Sequence, residues 1–153
     1  MRKIIAIGLT VAMLAMAGTA MASGSNTLTV QANVSGTCKF VSAASTLGFG
    51  ALDPSDGSDV PGSTTTNYWC TKGVPTATVT ANNGAHYSGT QRQMAGPAGE
   101  MIPYSLDLTL DINPNLGPGT PRSLTISGEV LGTDYISKMA GDYSDTVTLN
   151  ITP

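Results

Sequence analysis

Hydrophobic and polar residues alternate with a period of two along much of this chain, and the clearest run is residues 143–152. Ser144, Thr146, Thr148, Asn150 and Thr152 fall on one face; Tyr143, Val147, Leu149 and Ile151 fall on the other, interrupted only by Asp145. That is the signature of a half-buried β-strand. A second such row lies near the other end, where Leu28, Val30, Ala32 and Val34 alternate with Thr27, Thr29, Gln31 and Asn33. No segment after Pro153 is expected to pair with the far edge of the last strand. The expectation is that the two rows belong together, but in different molecules. The pattern alone equally allows residues 27–34 to be an ordinary first strand folding back into its own sheet.

Between these rows the chain reads as short strands cut by Gly and Pro. Residues 37–41 form a first body strand, and residues 46–52 a second with Leu47 and Phe49 inward and glycines where the backbone must bend. Residues 53–62 read as a loop, 64–71 and 76–81 as strands, and Asn82-Asn83-Gly84 as a turn. Residues 85–99 are polar and read as irregular. Residues 102–112 are the longest strand expected, with Ile102, Tyr104, Leu106, Leu108, Leu110 and Ile112 in strict alternation. A Pro/Gly loop over 113–121 leads to a strand over 123–131, with a bulge expected near Gly128 before Val130. No sustained helical period appears after residue 22. The reading is an all-β sandwich in one domain: a short polar lead and the alternating row over 23–35, then a body over 36–153.

Residues 1–22 change the picture, because they read as a targeting signal rather than structure. Arg2 and Lys3 precede an apolar run over 4–17, and Ala20-Met21-Ala22 supplies a small-residue cleavage site. The expected product is exported, with no membrane span in the mature chain. It keeps five basic residues (Lys39, Lys72, Arg92, Arg122 and Lys138) against ten acidic ones, a net charge of −5. So sparse and outnumbered a basic set cannot track phosphates, which excludes nucleic acid. The two cysteines, Cys38 and Cys70, read as a disulfide in an oxidising compartment. Closing that loop contributes roughly 3–4 kcal/mol by the chain-entropy argument.

The chemical inventory is thin. His86 is the one histidine, and no Gly-x-Ser-x-Gly elbow accompanies it, so it reads as an exposed turn residue and no catalytic residue is expected. With the thiols paired and one imidazole, no metal site and no cofactor are expected. Asp53, Asp56 and Asp59 recur every third residue but lack calcium-loop spacing and a closing Glu, and read as loop-turn formers. Tyr68 and Trp69 read as packing beside the disulfide rather than a sugar platform. Asn33-Val-Ser35 and Asn150-Ile-Thr152 fit the glycosylation pattern and read as coincidence.

Several pieces, in order, resemble one family. They are Gly36-Thr-Cys38-Lys-Phe40, Leu47-Gly-Phe49-Gly with Asp53-Pro54 nearby, and Trp69-Cys70. Then come Arg92-Gln-Met94, Ile102-Pro-Tyr104-Ser-Leu106, and finally Gly141-Asp-Tyr143-Ser-Asp145-Thr-Val147. Over residues 36–152 the chain resembles the spore coat U domain, which includes archaic chaperone–usher pilus subunits. It departs from the pattern after Ile112, where Pro114-Asn-Leu-Gly117-Pro118 stands in place of an aromatic–Gly pair.

The resemblance implies an incomplete immunoglobulin-like β-sandwich lacking its final strand. A periplasmic chaperone lends that strand, and the N-terminal extension of another subunit then replaces it during assembly through an outer membrane usher. It thereby implies a non-enzymatic pilus subunit that supports adhesion and biofilm formation. The donor residues become Leu28, Val30, Ala32 and Val34; the acceptor edge becomes Tyr143, Val147, Leu149 and Ile151. The alternatives are a self-contained secreted coat or matrix protein, and a carbohydrate-binding module using Tyr68, Trp69 and the 53–59 loop.

Overall fold

The computed structural model describes residues 23–153, so the signal expected over 1–22 lies outside the described residues. Contacts divide the chain into a unit over 1–33 and a unit over 34–153. In the first unit, residues 23–33 are exposed and belong to no strand.

The second unit is built from β1 (Cys38–Phe40), β2 (Val60–Cys70), β3 (Thr78–Ala81), β4 (Arg92–Ala95), β5 (Met101–Tyr104), β6 (Asp107–Leu110), β7 (Arg122–Val130) and β8 (Leu149–Thr152), with one helical turn, α1 (Gly132–Tyr135). All pairings are antiparallel. A four-stranded sheet has the order β1-β2-β7-β6, and a two-stranded sheet pairs β3 with β8. An immunoglobulin-type sandwich has strands A-B-E-D in one sheet and C-F-G in the other. Taken in chain order, β1, β2, β7 and β6 occupy A, B, E and D; β3 and β8 occupy C and F. The β4–β5 hairpin is inserted between C and D, and no described strand occupies G.

Two core clusters hold the sheets together. Tyr68, Cys70, Leu124, Ile126 and Cys38 form one, packed by Val79, Leu149 and Ile151 from the opposite sheet. Ile102, Tyr104, Val130 and Tyr135 form the other, packed by Phe49, Met94, Tyr143 and Val147. The Cys38–Cys70 disulfide joins two residues that face each other across β1 and β2. Tyr68 is buried, and its hydroxyl donates to the Asp111 carbonyl at 3.1 Å, so it is core and no sugar platform. Trp69 is half-buried beside Lys39 on β1.

The structure corrects several expected elements. The strand expected over 102–112 is two strands with different partners: β5 pairs with β4 and β6 with β7. The chain changes sheets at Ser105–Leu106 while its side chains go on alternating, so the periodicity hides the break. Ile112, expected inward, is 97% exposed. Residues 85–99 are not irregular throughout, since they contain β4 and a 3-10 turn at Pro97–Gly99. The loop expected over 53–62 ends early, because β2 already pairs with β7 at Val60. Residues 46–52 keep Leu47, Phe49 and Leu52 half-buried but form no ladder. In the last run, ladder pairing is confined to Leu149–Thr152, with one isolated bridge from Ser144 to Ala95.

There is also no bulge at Gly128. The β2–β7 register runs unbroken from Val60↔Val130 to Tyr68↔Arg122, and Leu124, Ile126, Gly128 and Val130 all face inward. The glycine serves a close approach instead, because a Cβ there would run into the Ser105 carbonyl at the sheet change. Gly128→Ala should therefore destabilise by about 1–3 kcal/mol through overpacking. Glu129→Ala, exposed on the next position of β7, should stay within about 0.5 kcal/mol. Denaturant unfolding of the two variants checks this.

Candidate functional site

The place of the absent G strand is a cleft of about 870 Å³. One lip is the segment 45–52 and the other runs through residues 138–149; Met94, Ile102, Tyr104, Leu106 and Ile126 form the floor. The first lip reaches the floor through Phe49, whose ring lies 6.1 Å from that of Tyr104 at a tilt of 55°. Among the described residues, no hydrogen bond engages the backbone of residues 42–52. Val41 N–H still bonds to the Asn67 carbonyl at 2.8 Å, and the next backbone bond is Asp56 N–H to Asp53. The intervening lip is a stretch of unpaired backbone donors and acceptors beside a partly apolar trough.

The second lip is fixed along one side only. Ser144 exchanges both backbone bonds with Ala95 at 2.9 and 3.0 Å. Thr148 accepts from Asn82 N–H at 3.0 Å and donates to Asn82 Oδ1 at 2.9 Å. Beyond it, Asn150 and Thr152 face Thr80 and Thr78 of β3. These even-numbered residues point their backbone groups to one side, at β4 for Ser144, at Asn82 for Thr148 and at β3 for Asn150 and Thr152. By the alternation of an antiparallel ladder, those of Val147, Leu149 and Ile151 point the other way, to an edge with no strand beside it.

Tyr143, Val147 and Leu149 also line the cleft with their side chains, whereas Ile151 lies outside its lining and packs into the first core cluster. Leu28, Val30 and Val34 are 82%, 84% and 81% exposed, and Ala32 is exposed as well. Apolar side chains at that spacing are normally covered when the chain is at work.

Asp145 was legible only as an interruption of the apolar row, and it proves central to the second lip. Its carboxylate side chain is 3% exposed. Oδ1 accepts from Ala85 N–H at 2.8 Å and His86 N–H at 3.2 Å, with His86 Nδ1 3.3 Å away. Oδ2 accepts from the Tyr104 hydroxyl at 2.7 Å. Gly84, at φ +82°, leaves the room, since a Cβ there would strike the carboxylate. The group thus staples the 82–86 turn and β5 to the second lip. His86 is not the exposed turn residue expected but a half-buried member of this cluster. A carboxylate in the inward row of a strand is the signal that could have revealed it, because a buried charge demands donors.

The surrounding motif residues have physical reasons too. The Tyr143 ring lies where a side chain on Gly96 would be, and its hydroxyl donates to the Met139 carbonyl at 2.9 Å. Asp53 Oδ1 accepts from Ser55 N–H and Oγ at 2.9 and 2.7 Å and shapes its own turn, whereas Asp59 Oδ1 accepts from Gly132 N–H at 2.8 Å and ties the start of β2 to α1. Among the described residues, no three His, Cys, Asp or Glu side chains are grouped to hold a metal ion, and no helix is long and apolar enough to cross a membrane.

Burial alone raises the Asp145 pKa, but the bonds from Tyr104, Thr146, Ala85 and His86 outweigh it and hold the carboxyl below the ordinary 3.8. Burial first, and then the bond to Asp145, push the Tyr104 phenol well above 10, so it stays a neutral donor. A depressed folded-state pKa contributes stability above the unfolded value that is lost as pH falls through the folded one. Acid unfolding should therefore include a component from Asp145 below about pH 4. Asp145→Asn, which keeps the shape but loses the charge-assisted bonds, should cost about 2 kcal/mol at neutral pH and flatten that component. Urea titrations across pH 2–7 check both (a range set by the ordinary carboxylate value, about 4).

The Spore Coat Protein U domain family matches residues 25–150. No curated protein matches the chain. Among solved structures, the chain is similar to one in the chaperone–tip adhesion subunit pre-assembly complex, CsuC–CsuE, from archaic chaperone–usher Csu pili of Acinetobacter baumannii. The identity is 16% and the TM-score 0.47, over 77% of this chain and 40% of that one. The cleft, the Asp145 staple and the disulfide-closed first strands all lie inside the family match, and the chain belongs to the Spore Coat Protein U domain family.

Proposed function

We propose that this chain is a structural pilus subunit that polymerises by donating residues 27–34 to the cleft of another copy. The observation that carries the reading is one edge. Val147 and Leu149 direct unpaired backbone groups at a trough whose opposite lip, residues 42–52, is equally unpaired. Natural folds rarely leave such an edge bare, and an extended segment can cover it by adding a strand. The alternating row of Leu28, Val30, Ala32 and Val34 has the matching character: apolar side chains for the trough and a backbone for both lips.

Burying Leu28, Val30 and Val34 contributes about 1.5–3 kcal/mol each. Ordering the segment costs about 1–2 kcal/mol per residue, so the ladder and the fit of the side chains decide the balance.

Before assembly the same cleft needs a temporary cover, which is the part of a periplasmic chaperone, with an outer membrane usher passing subunits to the growing fibre. The role is architectural rather than catalytic, in a surface fibre that serves attachment and biofilm formation. Exposure of residues 23–35, in no strand of their own chain, weighs against a self-closed coat or matrix protein.

Mature protein exported to the periplasm and run on a gel without boiling should give a ladder of polymers that collapses to monomer on boiling. The ladder should vanish on deleting residues 23–35 and be strongly reduced in Val30→Asp, because a buried unpaired charge is severely costly. A compact monomer that needs residues 23–35 to stay folded would contradict strand donation and support the self-closed sandwich.

A further inference from the structure

We infer that successive copies also touch through their bodies, with the Ile112–Leu116 patch of the donating copy seated on the Ile136–Met139 patch of the accepting one. This rests on the strand-donation reading and adds to it a second, separate interface.

The donor leaves the body beside the first patch. Thr37 N–H donates to Thr71 Oγ1 at 3.1 Å, and Thr71 N–H donates to the Thr37 carbonyl at 2.8 Å. Gly36 lies against Val74, and Val74 accepts from Asn115 Nδ2 at 2.9 Å. Only Ser35 and Gly36 therefore separate Val34 from the anchored body, a reach of roughly 7–10 Å. A donor strand seated in another copy must draw the surface around this exit against that copy.

That surface is apolar and held in place. Ile112 is 97% exposed and Leu116 half-exposed, both flanking a shallow hollow with Val74 and Pro75. Asn115 fixes the loop from beneath, yet its Oδ1 is buried with no hydrogen-bond partner among the described residues. Buried acceptors are normally satisfied, so a donor arriving with a neighbouring molecule would complete it.

The accepting copy offers a matching surface at its opposite end. Toward Thr152 the cleft lining stops at Leu149, and there Phe40 of β1 packs against the same core cluster as Leu149 and Ile151. At its other end the lining continues through Tyr143, Met139 and Tyr135, so the tether has to leave by that end. There Ile136 and Met139 are half-exposed, just beyond the Val130 end of β7, while Ile112 lies beyond the Arg122 end. Nine residues of strand put the two patches ~27 Å apart on one body. Patches at opposite ends cannot meet within a copy. Joined between copies they make a head-to-tail contact that repeats from one copy to the next.

The test is a thiol pair in the full chain, whose two natural cysteines are already bonded to each other. Polymers carrying Ile112→Cys with Ile136→Cys, treated with a short thiol crosslinker, should give a ladder that survives boiling in detergent. Polymers pairing Ile136→Cys with Thr109→Cys, on the exposed side of β6, should boil down to monomer. An intact unboiled ladder with no boil-resistant species overturns the body contact and leaves strand donation standing. Equal crosslinking in the Thr109→Cys control also overturns it, as a contact without geometry. Loss of even the unboiled ladder in unsubstituted protein removes strand donation, and this contact with it.

Discussion

A strand has two edges, and in this protein the edge that carries the backbone groups of Val147, and of Leu149 and Ile151 in β8, has no ladder partner among the described residues. Everything distinctive about the body is arranged around that vacancy. The four-stranded sheet supplies Ile126 as floor, the β4–β5 hairpin supplies Met94, Ile102 and Tyr104, and residues 45–52 stand opposite as a lip without a ladder. An ordinary sandwich would place its final strand there and satisfy both lips at once. Backbone groups left in a partly apolar trough are costly, so the isolated body is a fold one strand short of complete.

Keeping such a trough open requires that the lips not collapse into it. The Asp145 carboxylate does this for the second lip, tying the chain to Ala85, His86 and the Tyr104 hydroxyl. Ser144 and Thr148, on either side of Asp145, are bonded in the same direction. The first lip is held at its origin by the Cys38–Cys70 link and along its length by Phe49 against Tyr104. Tyr104 therefore serves both lips, through its ring and its hydroxyl. Rigid flanks around an unfilled slot favour an incoming strand that need only order itself.

Period-two alternation in the sequence was enough to identify an all-β sandwich, the inward rows of β7 and of residues 143–152, and the separate row at 28–34. It recorded which face each residue occupies but not which strand it pairs with. That is why residues 102–112 read as one strand although they serve two sheets, and why residues 46–52 read as a strand without a ladder. Gly128 looked like a bulge because a glycine in a strand has two physical uses, and only the nearby Ser105 carbonyl distinguishes them. The inward place of Asp145 was legible but its partners were not, because its donors lie about 40 to 60 residues away along the chain, brought together only by the fold. The exposed Ile112 could not be foreseen, since alternation continued past the end of pairing.

The central claim is that residues 27–34 fill the slot between residues 42–52 and β8 of another copy. Its most direct measurement is hydrogen exchange on the whole chain carrying Val30→Asp, with and without a synthetic peptide of residues 26–35. The account predicts that the peptide slows exchange at the amides of residues 42–52 and at Val147 and Leu149, leaving β2 and β7 unchanged. No added protection at either lip, with the peptide present in excess, would contradict it.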